Sequence, residues 1–245
     1  MHKVHSTDRH LPITSRALPP CPAEFFSALD ALPFLRAAFI QRCPGIDVVT
    51  DRETALGRLW SVHRETADAL GFSDFPFAVA EQVHGNLVAR VDGLNPTPVP
   101  GADGLVTNRP GLCLTIYVAD CAAVYLADRK VQAIGLVHAG KKGAELGIVT
   151  EAIATMRKEF GTDPANLVVQ VAPCIRPPNY EVDFAAEIVR QAREAGVRDI
   201  FDCGACTASN PEKYYSYRRE RGRTGRLLAL AAITSQHTEL SPEAD

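Results

Sequence analysis

The chain has no excess of basic charge, no apolar run long enough to cross a bilayer and no even set of cysteines. Each absence removes a class of function. A net charge of -3 over 245 residues gives no electrostatic footprint for nucleic acid or an anionic membrane as partner. The longest apolar stretch, around Tyr117 to Ala127, contains Asp120 and is too short for a membrane span. The first ten residues carry no apolar h-region of the secretory type, so we expect a cytoplasmic protein. Seven cysteines (21, 43, 113, 121, 174, 203 and 206) are scattered through the chain. A disulfide framework favours an even count in a small secreted domain, so reduced thiols are expected. There is also no internal repeat and no obvious linker. We therefore read residues 1–22, polar and then proline-rich, as a flexible arm, and 23–245 as a single domain.

What is present is a series of short apolar runs broken by turn residues. Ala23 to Leu32 reads as a short helix, and Arg36 to Gln41 and Asp47 to Thr50 as strands. Thr50 or Asp51 can cap a helix reaching about Leu70. Phe77 to Val83 and Leu87 to Val91 read as strands bracketing a His84-Gly85-Asn86 turn, and a loop with three prolines follows. Leu105 to Thr107, Leu112 to Ala119, Ala122 to Leu126, Gln132 to Val137 and Leu167 to Val171 continue as strands. Helices are expected at Gly143 to Phe160, Phe184 to Ala195 and Thr224 to Ile233, with Cys203 to Tyr217 irregular. Strands come in runs rather than in strict alternation with helices. That order predicts an α+β fold of layered mixed β-sheets flanked by helices.

Three chemistry-bearing residues, His84, Cys121 and His138, each close or follow an apolar strand pattern. Two imidazoles and a thiolate suit Zn²⁺ with a fourth position open, although their wide spacing matches no short metal motif. Gly140-Lys141-Lys142-Gly143, between a strand and a helix, can bind an anion; it is not a Walker sequence. Cys203 and Cys206 have knuckle spacing but no second pair. His2, His5 and His10 are too irregularly spaced to argue for a metal-binding tail. The segment from Lys213 to Arg226 is basic and aromatic but contains Glu220, which favours a solvated face or a small-anion contact over nucleic acid.

At these residues the chain resembles a known family. Gln82-Val83-His84-Gly85, Ala102-Asp103-Gly104-Leu105-Val106-Thr107, Ala119-Asp120-Cys121 and Val137-His138-Ala139-Gly140 stand in the family's order. So do Tyr180-Glu181-Val182, Cys206-Thr207, Ser216-Tyr217-Arg218-Arg219 and Thr224-Gly225-Arg226. Together they are similar to the YfiH/YlmD-type laccase-domain (polyphenol oxidase family) proteins, now described as purine nucleoside phosphorylases. The resemblance implies a YfiH-like fold, with the domain at 23–245 catalytic. It implies His84, Cys121 and His138 as Zn²⁺ ligands. It further implies phosphorolysis of adenosine, inosine, guanosine and methylthioadenosine, and deamination of adenosine.

On that reading Cys121, His138, His84 and Asp120 are the catalytic candidates, with Asp120 supporting the ligands or transferring a proton. Lys142, Arg218 and Arg219 are the candidate phosphate or substrate contacts. The expected partners are purine nucleosides and phosphate, with no nucleic acid and no membrane, and a monomer or weak oligomer. The family's usual Trp-Arg after His-Ala-Gly is replaced by Lys141-Lys142, which keeps a charge but loses a bidentate fork. The seven histidines include no His-x-His pair, which speaks against a copper oxidase cluster. Two alternatives stay open: a metal-independent hydrolase with Cys121 as nucleophile and His138 as base, and a catalytically weakened interaction module.

Overall fold

Runs of β-branched and aliphatic residues with no polar alternation need cover on both faces, and the protein provides it by stacking two mixed sheets. The structure, a computed structural model, describes residues 20–95 and 97–234. The first sheet holds β1 (Ala23–Glu24), β2 (Leu35–Ile40), β3 (Phe77–Val79), β6 (Cys113–Val118) and β11 (Leu227–Ile233), in the order β1-β2-β11-β6-β3. The second holds β4 (Val88–Arg90), β5 (Gly104–Thr107), β7 (Ala122–Asp128), β8 (Ala133–Ala139), β9 (Leu167–Val171) and β10 (Asp199–Asp202), in the order β10-β9-β7-β8-β5-β4. Pairing is antiparallel except for β3 with β6, β4 with β5 and β9 with β10. The α+β layered fold expected from the sequence is the one observed.

The period of two along β7 divides its side chains between two cores. Ala123, Tyr125 and Ala127 face the core shared with the first sheet, and the Tyr125 hydroxyl donates across to the Ala38 carbonyl at 2.8 Å. Val124 and Leu126 face a second core beneath helices α4 (Ile148–Phe160) and α5 (Phe184–Glu194). Helix α2 (Arg52–Ala67) packs on the first sheet, with His63 stacked on Tyr117 at 6.1 Å. Asp51 caps α2 by accepting the Thr54 N–H at 2.9 Å, as its side chain predicts. Among the described residues, no helix is long and apolar enough to cross a membrane.

Several expected elements differ. Leu227–Ile233 is not a helix but the central strand β11, paired with β2 and β6. Its Leu and Ala residues favour helix locally, yet a strand buried on both faces asks only for apolar side chains. Asp47 to Thr50 forms no strand, and Ala23 to Leu32 divides into β1 and the short α1 (Ser27–Asp30). The helix expected from Gly143 is broken by Gly147 at φ 76°, leaving α3 (Lys141–Glu145) ahead of α4. Strands β3 and β4 do not form a hairpin; they lie in different sheets, and the His84 segment crosses between them. The edge strand β10 was not anticipated.

Most of the expected arm, 1–19, lies outside the described residues. Cys21 does not belong to an arm: it is buried, its N–H donates to Thr66 Oγ1 at 2.9 Å, and it is disulfide-bonded to Cys43. The expectation of reduced cysteines therefore fails for this pair, while Cys113, Cys121, Cys174, Cys203 and Cys206 are free thiols. Sequence separation concealed the pair, because β1 and β2 bring the two ends together only in the folded sheet.

Candidate metal centre and its pocket

Cys121 stands at the turn between β6 and β7, and His138 on β8, the partner of β7. His84 arrives on the crossing segment between the sheets, so three non-adjacent pieces of chain converge at one sheet end. Their ligand atoms lie within 4.8 Å of one another, and the two imidazole rings meet edge to face with centroids 4.8 Å apart. A Cβ on Gly140 would stand 2.7 Å from Cys121 Sγ, so only glycine lets the thiol occupy this place.

The segment carrying His84 is strained and firmly held. Gln82 and His84 have φ of 64° and 62°, a region that non-glycine residues rarely occupy. The Gln82 side chain donates to the Tyr117 carbonyl at 2.6 Å and accepts the Tyr117 N–H at 2.9 Å. The Asp103 carboxylate accepts the backbone N–H groups of Val83 (3.2 Å), His84 (2.9 Å) and Gly85 (2.7 Å). The same carboxylate stands 2.8 Å from His138 Nδ1.

The electrostatics favour a thiolate. Burial pushes the Cys121 thiol up, but hydrogen bonds and charge from His138 and His84 outweigh it and bring the pKa down to about 6. Burial opposes charge on His138, yet Asp103 and Cys121 raise it to about 9. Burial likewise works against the Asp103 carboxylate, and its hydrogen bonds from His138, Gly85 and His84 hold it below the usual range. An ionised Asp103 can only accept, so His138 Nδ1 carries a proton toward it, and Nε2 is the atom a metal would take on displacing its proton. Two imidazoles and a thiolate in this arrangement can hold a transition metal ion.

These residues line a cavity of about 890 Å³, large enough for a nucleoside-sized ligand. A family model described as multi-copper polyphenol oxidoreductase laccase matches residues 60–191 and 182–234. The chain belongs to this family. It is 34% identical over 198 residues to a purine nucleoside phosphorylase of Corynebacterium glutamicum, covering 69% of this chain and 79% of the relative. It is 32% identical to another of that name from Streptomyces coelicolor, over 77% of this chain and 91% of the relative. The crystal structure of YlmD from Geobacillus stearothermophilus has the same fold. Its TM-score is 0.76 at 24% identity, over 83% of this chain and 93% of that one.

The multi-copper description of this laccase-type family is not matched by several ligand clusters. Among the described residues, His84, Cys121 and His138 form the one group placed to hold a metal. Asp120 lines the cavity with φ 85°, and both its oxygens are engaged: Oδ1 accepts from Thr207 Oγ1 and Oδ2 from the Arg218 N–H, each at 2.7 Å. That geometry fits a residue that fixes the cavity wall better than one that moves protons.

Lys142 and Arg218 line the cavity, Arg218 lying over the Tyr180 ring at 4.8 Å and paired with Glu181 at 3.0 Å. Arg219 does not join them; its Nη1 donates to the Ala208 carbonyl at 3.1 Å and it is not among the lining residues. Helix α3 has five residues, so the Gly-Lys-Lys-Gly turn offers lysine charge with little helix dipole behind it. Sequence reasoning gave no role to Asp103, Gln82 or Arg52, and read Arg226 only as the end of a basic segment forming a solvated face or a small-anion contact. A carboxylate beside the apolar run from Leu105 is costly to bury without a task, and that was the available signal for Asp103.

Proposed function

We propose that this protein is a zinc-dependent purine nucleoside phosphorylase, converting a purine nucleoside and phosphate into the free base and ribose 1-phosphate. One observation carries the reading: three residues able to hold a metal, cationic side chains and an aromatic wall share a single cavity. The names of the Corynebacterium and Streptomyces relatives support the substrate class.

His84, Cys121 and His138 would hold Zn²⁺, whose preference for nitrogen and sulfur donors they meet. When bound, the ion supplies Lewis acidity with a coordination position not taken by protein. Tyr180 and Phe184, with ring centroids 5.9 Å apart, give the flat face of a purine an apolar surface. Lys142 and Arg218 offer positive charge to the phosphate. In the reaction a phosphate oxygen bonds to C1′ of the ribose while the bond from C1′ to the base nitrogen breaks. The base leaves with the electron pair and takes up a proton. Holding both reactants in one cavity removes much of the entropic cost of their encounter.

Product analysis tests this. Inosine, guanosine, adenosine and methylthioadenosine are incubated with the protein, with and without phosphate. Free base and ribose 1-phosphate formed only with phosphate support the reading. Inosine formed from adenosine without phosphate adds deamination. No turnover of any of the four removes the phosphorylase and leaves an interaction module.

A second reading, a metal-independent Cys-His hydrolase, is favoured by the depressed pKa of Cys121 beside His138. Phosphate-independent hydrolysis at full rate in metal-free protein decides for it.

A further inference from the structure

A guanidinium taken out of water needs a counter-charge, and where the protein supplies none a ligand is the natural source. Arg226, immediately before β11, is 8% exposed and lines the cavity. Its Nη1 donates to the carbonyls of Thr224 at 3.0 Å and Gly225 at 2.9 Å. Among the described residues no carboxylate pairs with it, and its Nε and Nη2 have no acceptor. The Asp120 carboxylate, which shares the cavity wall, is already committed to Thr207 and Arg218.

Arg52, the first residue of α2, lines the same cavity and is likewise in no ion pair among the described residues. Burial, and then the charge of Arg52, work against the protonated state of Arg226 and outweigh Cys121, Tyr217 and Asp120, which favour it without pairing with it. Two cations lining one cavity, neither of them ion-paired among the described residues, repel each other. An anion between them turns that repulsion into attraction.

We infer that Arg226 and Arg52 form the oxyanion subsite of this cavity, which takes a tetrahedral phosphate-type dianion. The free edge of Arg226 presents Nε and Nη2 as a fork matching two phosphate oxygens. Arg218 is a poorer anchor because it is paired with Glu181, and Arg219 points its donors elsewhere. Lys141 and Lys142 are exposed and add charge at the rim. The bidentate fork missing from the Lys141-Lys142 turn is thus supplied by Arg226, immediately before β11. Naming phosphate as co-substrate rests on the phosphorylase reading; the existence of the anion site does not.

The test is binding of inorganic phosphate alone to the full chain, without nucleoside, followed by titration calorimetry and ³¹P line broadening. Arg226→Gln is expected to weaken phosphate binding at least tenfold, Arg226→Lys by less, and Arg52→Gln several-fold. Lys158→Gln, an exposed lysine on α4, leaves it unchanged. If Arg226→Gln does not fold, the exposed Arg52 and the conservative Arg226→Lys carry the comparison. Wild-type protein that binds no phosphate, or variants at both arginines that bind it as tightly as wild type, overturn the subsite. Phosphate bound through these arginines with no nucleoside turnover keeps the subsite and removes the phosphorylase. Phosphorolysis with an unchanged KM for phosphate in both variants does the reverse.

Discussion

The Asp103 carboxylate and the His138 imidazole stand 2.8 Å apart in the interior, 0% and 4% exposed. Because the same carboxylate also gathers three N–H groups of the His84 segment, one side chain orients two of the three metal-ligating candidates. Partners of this kind fix the imidazole tautomer and raise its basicity. Asp103→Asn replaces one acceptor oxygen by a donor facing N–H groups. We expect metal affinity to fall about 10- to 100-fold, measured by competition with a chromogenic chelator, with the far-UV spectrum retained. Unchanged affinity would mean that Asp103 only holds the backbone.

Gly140 tests the steric side of the same centre. Its φ of -92° strains no L-residue, so Gly140→Ala acts through its methyl alone, which would lie 2.7 Å from Cys121 Sγ. The variant should fold and bind metal at least about tenfold more weakly, since a ligand displaced by even a fraction of an ångström loses its geometry. Equal metal affinity in calorimetry would show that the thiol has room to move.

His63 predicts a pH dependence of stability separate from the metal centre. It is 1% exposed, neither ring nitrogen has a partner, and burial lowers its pKa to about 4. The unfolded chain, with an ordinary histidine near pH 6.5, binds more protons between these values. Stability is therefore fully present above about pH 6.5 and is lost as pH falls toward 4. At ~1.4 kcal/mol per pH unit, the span is worth roughly 3 kcal/mol. Urea unfolding across this range should show a shallower pH slope for His63→Phe than for wild type. Parallel slopes would place the proton uptake elsewhere.

The Cys21–Cys43 bond closes a loop with a sequence separation of 22. Loop-closure entropy assigns it about 3 kcal/mol. Cys43→Ser should lower the denaturation midpoint accordingly, and thiol titration of unfolded wild type should find five thiols before reduction and seven after. Seven thiols before reduction would rule the bond out.

The layered α+β class and most strands of the second sheet were legible because turn residues punctuate runs of β-formers. His84, Cys121 and His138, which the structure brings together as a group that could hold a metal, were singled out at the ends of such runs, and the family resemblance supplied their reading as ligands. What stayed hidden depends on distant pairing. Leu227–Ile233 has helix-favouring composition and becomes a strand only between β2 and β6. Asp103 gains its task from residues 18 to 35 positions away, and Arg226 shows itself as a buried cation in no ion pair among the described residues. Cys21 and Cys43 meet only once β1 pairs with β2.

On the proposed function, phosphorolysis depends on a metal held by His84, Cys121 and His138. Elemental analysis paired with inosine phosphorolysis on the same samples, for wild type and Cys121→Ala, tests it most directly. One zinc per wild-type chain is expected, with activity that falls and recovers on its removal and return, and neither metal nor activity in the variant. Metal-free wild type with full phosphorolysis, or an active Cys121→Ala, would contradict it.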